Sequence, residues 1–338
     1  MNVLIPNLHG ILTVSFCRAF GEIGADVFVP AVDDARQARQ SRYRSPLAGA
    51  YDFRKDLDRE RPKNCRIVDL EALPELDIDL VLVTGHGVQR SVLKYLLPLL
   101  GRRRRVDLAY FCGNELPRYR WDLVRNLLCA DELSWRRHGS ATPNATRYYP
   151  WIDYQRFSWQ GPSDARKIVS CIGNYDARYP EDAAFARRLV ASVPGLQYEL
   201  IDAIGHDRIA EHFRQASATL HIKPEEGYGY AVIESLACGR PVIAPRKYIR
   251  GRAMQHWCLD GDSALLYDTF DEARQALMRF LDDPEFRTRL QTSAAATVRR
   301  IIDNDEQNAV LKRFVERLQP QADKTLLSRL LDVRHRHR

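Results

Sequence analysis

The sequence predicts an α/β protein of two doubly wound domains, each a parallel sheet wrapped by helices. Three observations carry this. The chain opens β-α-β. A second β-α series begins near Arg166. Between the two lies a stretch, residues 141–164, with three prolines and no sustained periodicity. A chain of 338 residues is long enough for two such domains.

The elements follow in order. "MNVLIPN" reads as a first strand; its early Asn and Pro and its lack of a basic start argue against a signal peptide. "TVSFCRAFGEIG" has helical apolar spacing and ends on Gly24, and "ADVFVPA" is the next strand. "DIDLVLVTGH" and "RVDLAYFCGN" are further apolar strands, each running into Gly and a polar residue, where such sheets expose their ligand-binding edge. In the second half, "RKIVSCIGNY", "LQYELIDA" and "ATLHIKP" read as strands, and "EDAAFARRLVASV" and "RIAEHFRQA" as helices. "DEARQALMRFLDD" and "FRTRLQTSAAATVRRIID" are late helices, and "LLSRLLDVRHRHR" is a basic amphipathic end.

Composition narrows the class. Hydrophobic residues make up 45% and charged residues 28%, as in soluble globular proteins. No apolar run approaches the ~20 residues of a membrane-spanning helix. The seven cysteines show no CxxC spacing and several sit in apolar segments, which points to reduced thiols and a cytoplasmic setting. The net charge of +7 is uneven: residues 1–150 carry 23 Lys/Arg against 18 Asp/Glu. "GRRRR" (101–105) with Arg118, Arg120 and Arg125 gives the first half its excess, so an anionic partner there is one reading and a solvated surface the other.

The most informative stretch is "EEGYGYAVIESLACGRPVIA", residues 225–244. A strand leads into a glycine turn, then a helix opens at Tyr230, with Gly239 placed to cap it and Pro241 to stop it. The unpaired N–H groups of a first helical turn and the helix dipole favour an anion. Glu234, about one turn in, can accept hydrogen bonds from a diol such as a ribose. Glu226 stands on the other side of the turn. That spacing suits a sugar at each end of a diphosphate, the shape of a nucleotide-sugar.

These residues resemble the signature of the retaining GT-B glycosyltransferases, E-G-[FY]-G, four residues, E, then A-x-G-x-P-V; both glutamates, both turn glycines, Gly239 and Pro241 match. "YPWIDYQRF" (149–157) is similar to that family's inter-domain segment, and "CLDGDSALLYD" (258–268) resembles its closing strand. The resemblance implies a GT-B fold: an acceptor domain at 1–148, a linker at 149–157, a nucleotide-sugar domain at 158–305 and a helical tail at 306–338. It implies that Glu226 meets the transferred sugar in a cleft between the domains. The backbone at Gly229, Tyr230 and Ala231 would hold donor hydroxyls or phosphate, and Glu234 the ribose. It implies retention of configuration with no metal or other cofactor; "VDD" (32–34) and "DGD" (260–262) read as turns.

Departures from the pattern define the remaining expectations. The family's Arg and Lys after the first strand of the second domain are replaced by "GNYDARYPED", where Arg178 is the one cation, and Lys223 is the candidate substitute. The strand that usually frames the base is absent. In the first domain, His86 stands in for the family's histidine as an assisting residue, and Gly10, after His9, takes the place of its glycine loop. Three readings stay open: a transferase acting on a lipid-linked or soluble saccharide of the cell envelope, one acting on hydroxylated bases in DNA, and a non-catalytic nucleotide-sugar binder or epimerase. Peripheral contact with a membrane is compatible with the first.

Overall fold

The computed structural model describes residues 1–6, 10–31, 61–84, 89, 92–100, 106–113, 119–172, 175–202, 204–224 and 226–320. The chain divides into two units, Met1–Trp151 with Asn304–Arg338, and Ile152–Asp303.

The first unit is a parallel sheet. Its strands are β1 (Asn2–Leu4), β2 (Asp26–Ala31), β3 (Cys65–Asp69), β4 (Leu80–Val83), β5 (Asp107–Cys112), β6 (Asn126–Cys129) and β7 (Asn144–Arg147). Among the described residues their order is β3-β2-β1-β4-β5-β6-β7. "LVLV" of β4 is buried at every position, as a parallel strand covered on both faces must be. Helix α1 (Gly10–Glu22) follows β1. β7 lies inside the stretch expected to be irregular. It is a four-residue strand paired in register with β6, Asn126 opposite Asn144.

The second unit carries a five-stranded parallel sheet of β8 (Lys167–Cys171), β9 (Gln197–Ile201), β10 (Ala218–Leu220), β11 (Val242–Pro245) and β12 (Ala264–Tyr267), in the order β12-β11-β10-β8-β9. Its helices are α2 (Tyr175–Arg178), α3 (Pro180–Ala191), α4 (His206–Gln215), α5 (Tyr230–Ala237), α6 (Arg246–Ile249), α7 (Phe270–Asp282) and α8 (Pro284–Ile301). Ile168, Leu220, Ile243, Leu277 and Phe280 form part of one buried core. Asp283 caps α8 through the Phe286 N–H, with Pro284 in its first turn, so the pattern of residues alone starts that helix.

The stretch 306–338, expected as a helical tail whose helices can pack back on the first domain, begins within helix α9 (Asn304–Glu316), which groups with the first unit. Leu311 and Phe314 are fully buried. Asn144 Nδ2 donates to Phe314 O (3.2 Å), and Asn126 both donates to Gln319 O (3.0 Å) and accepts from Gln319 N (2.6 Å). No helix among the described residues is long and apolar enough to cross a membrane.

Candidate functional site

In the second unit, β8 is flanked by β9 on one side and β10 on the other. The chain runs from β8 to β9 on one side and then crosses to β10 on the other. The crevice this opens at the carboxyl ends of β8 and β10 is where open α/β sheets bind ligands. Ser170 Oγ donates to Leu220 O at 2.6 Å, tying the two strand ends together.

The chain leaves β10 through His221, Ile222 and Lys223 and turns at Glu226–Gly229 into α5. Gly229 sits at φ +72°, in the left-handed region, and a Cβ there would lie 2.9 Å from Met254 Sδ and 3.3 Å from Glu226 Cγ. Only glycine satisfies both demands. The N-cap residue of α5 is Gly229, which has no side chain to cap the first turn, and Tyr230 and Ala231 are its first two residues. At the far end, Gly239 (φ +71°) closes the helix, with Arg240 N donating to Ser235 O and Gly239 N to Leu236 O. This pair of bonds is the Schellman closure the glycine was expected to make. Thr219 and Ser235 share a 2.5 Å hydroxyl bond that fixes α5 to β10.

Lys223 and Glu226 are brought together: Nζ lies 2.5 Å from Oε2. Glu234 is 2% exposed. A carboxylate so buried requires a polar partner, and His206, the first residue of α4, supplies it, with Nε2 2.6 Å from Glu234 Oε1. Arg156 Nη1 lies 3.2 Å from His206 Nδ1. Cys171, the last residue of β8, has its thiol pushed up to about 12 by burial, then by the Glu234 charge, while Lys223 opposes. His221 is buried, with no hydrogen-bond partner at Nε2 among the described residues. Burial holds its pKa down at about 4; the Glu226 charge opposes this and Lys223 reinforces it.

The other expected residues are placed as follows. Arg178 ends the short helix α2, exposed, with its guanidinium 5.2 Å from the Tyr179 ring centre. Gly10 opens α1 in the first unit. His86 lies outside the described residues, as do "VDD" and the run 101–105. In "DGD", Asp260 accepts from Leu266 N and Arg246, and Asp262 from Ser293 and Thr297. Among the described residues, no three His, Cys, Asp or Glu side chains are grouped to hold a metal. Sequence reasoning missed Arg156, His206 and His221. The "RF" of the linker segment was the one available signal, and it pointed to Arg156.

Residues 162–310 match the family described as glycosyl transferase-like. A D-inositol 3-phosphate glycosyltransferase from Acidothermus cellulolyticus is 39% identical over 92 residues, 27% of this chain and 19% of that protein. Its counterpart from Thermomonospora curvata is 36% identical over 93 residues. The match thus spans about a fifth of the length of these curated relatives, 19% and 21%. Among solved structures, Anabaena HepE, in complex with UDP and glucose, superposes with a TM-score of 0.66 at 12% identity, covering 94% of this chain and 100% of that one. The sucrose-phosphate synthase of Thermosynechococcus elongatus gives 0.63 at 14% identity, covering 93% and 98%. The chain has the GT-B fold. The match to the glycosyl transferase-like family lies within residues 162–310, less than half of the chain.

Proposed function

We propose that the protein is a retaining glycosyltransferase that moves a sugar from a nucleotide-sugar to a hydroxyl acceptor. The observation that carries this is the buried Glu234 on α5 together with the Lys223–Glu226 pair, all three acting on the Cys171 thiol at the end of β8, where the crevice between β8 and β10 opens. In this reading the Glu234 carboxylate accepts the ribose hydroxyls. The first turn of α5 and Lys223 face the diphosphate, where negative charge develops as the sugar leaves. Glu226 orients the transferred sugar. The presence of UDP and glucose in the HepE complex supports a uridine donor.

The charge of the leaving diphosphate is met by Lys223 and the helix terminus, so turnover proceeds without a protein-bound metal and survives EDTA. The name of the curated relatives, together with the +5 balance of residues 1–150 (23 against 18), supports an anionic acceptor such as a phosphorylated polyol or lipid-linked saccharide. Hydroxylated DNA bases are the second such acceptor. A thermal-shift screen with UDP-, GDP-, ADP- and dTDP-sugars tests the donor. A donor at a hundred times its Kd stabilises the fold by about 2.7 kcal/mol. If none of the four raises Tm, the reading is wrong.

A further inference from the structure

We infer that Arg156 and His206 are positioning residues for the nucleotide, acting through Glu234; this rests on the donor-site reading above. The geometry fixes the direction of both hydrogen bonds. A guanidinium can only donate. With Arg156 Nη1 3.2 Å from His206 Nδ1, that nitrogen is the acceptor. The ring proton therefore sits on Nε2, and Nε2–H donates to Glu234 Oε1 at 2.6 Å. Arg156 selects the tautomer, and the tautomer orients the carboxylate.

The chain Arg156–His206–Glu234 is held at each joint. His206 is 8% exposed, and its ring lies 5.3 Å from that of Phe157. Asp153 Oδ1 accepts from Arg156 N at 3.1 Å. Arg214, in α4, donates to Arg156 O. Tyr154 Oη donates to Ile302 O at 2.7 Å at the end of α8. The segment 153–157 is thereby stapled to α4 and α8. Through His206 it reaches a residue on α5. With Oε1 engaged by His206, the Glu234 carboxylate plane is set and Oε2 is the oxygen presented to a ribose hydroxyl. A carboxylate free to rotate would lose that alignment.

The test compares UDP with 2′,3′-dideoxy-UDP by titration calorimetry on the full chain. His206→Phe keeps the ring and removes both nitrogens. It should weaken UDP binding about tenfold, the size of one lost hydrogen bond to a charged group, and leave dideoxy-UDP binding unchanged. Arg156→Met should shift UDP affinity in the same direction by a smaller factor. His206→Gln, whose amide can donate to Oε1, should restore most of the discrimination. Equal weakening of UDP and dideoxy-UDP, or no change in either, overturns the positioning role while leaving the donor site standing. If the wild-type protein binds none of UDP, GDP and ADP, the donor-site reading falls and the positioning role with it. Melting temperatures of each variant separate these outcomes from misfolding: a His206→Phe protein that fails to fold while Arg156→Met folds and keeps its discrimination also overturns the role.

Discussion

Lys223 Nζ lies 2.5 Å from Glu226 Oε2, so the cation and the carboxylate of the turn enter the site as one neutralised pair. Their side chains are 23% and 16% exposed, which leaves the pair within reach of a ligand yet partly shielded from water. In the donor-site reading proposed above, a diphosphate arriving here competes with Glu226 for the ammonium, and a sugar hydroxyl competes with the ammonium for Glu226.

Opposite signatures follow for the two members. Glu226→Gln keeps the shape of the turn and frees Lys223. Donor affinity should stay within about tenfold, less than the 1.5–3 kcal/mol of a charge-assisted bond, while kcat falls sharply. Lys223→Met removes the cation, and donor affinity should fall by about 1.5–3 kcal/mol. Calorimetry and initial rates on both variants read the split. A Glu226→Gln enzyme with wild-type kcat makes Glu226 a turn residue only.

Two glycines with almost the same backbone should respond very differently to a methyl group. Gly239 (φ +71°) and Gly251 (φ +78°) both lie in the left-handed region. That conformation costs an L-residue about 1–2 kcal/mol. A Cβ at Gly251 meets nothing within 4 Å, whereas at Gly239 it would lie 1.9 Å from the Trp159 ring. Gly251→Ala should therefore cost about 1 kcal/mol, and Gly239→Ala at least about 2 kcal/mol more, because the indole must move or strain. Urea denaturation of the two variants gives the difference. Equal midpoints would show that Trp159 yields freely.

Acid should loosen the second unit through His221. Burial lowers its folded pKa to about 4, against an ordinary value of 6.5. Between those values the unfolded chain binds the proton and the folded one does not, so folding stability rises with pH across the window. The neutral imidazole's contribution is complete above pH 6.5 and is lost as pH falls toward 4. A difference of this size is worth about 3 kcal/mol as an order of magnitude. His221→Gln removes the titrating group. The wild type should lose more stability than the variant between pH 7 and pH 4.5, with the carboxylates that titrate in both proteins cancelling in the comparison. Parallel pH profiles would mean that His221 is solvated in the folded state.

The glycine turn and helix at 226–242 were legible because each signal there is local. A left-handed glycine, a helix of eight residues and a capping glycine are all written within one short stretch. The acid–histidine contact was not legible. His206 and Glu234 are 28 positions apart, and their meeting depends on how α4 and α5 pack, which periodicity does not encode. Strand β7 escaped for another reason: four residues beside Pro143 and Ala141, with one buried position, show no alternation to read. Arg178 stands with its guanidinium 5.2 Å from the Tyr179 ring centre, a contact between sequence neighbours that spacing does not reveal.

The return of α9 to the first unit sets an order of assembly. That unit is discontinuous, and residues 152–303 are an insertion within it. A ribosome releases the whole second unit before Phe314 and Gln319 emerge to meet Asn144 and Asn126. Because domains fold largely as units and in order of synthesis, the inserted unit can complete its own sheet while the edge at β6 and β7 still waits for its last helix. During that interval Asn126 Nδ2 has Leu108 O and Asn144 Nδ2 has Asn126 Oδ1 as partners, while the bonds to Gln319 and Phe314 are still unmade. A chain stopped at Asp303 would hold all of the sequence for the second unit and would never finish the first.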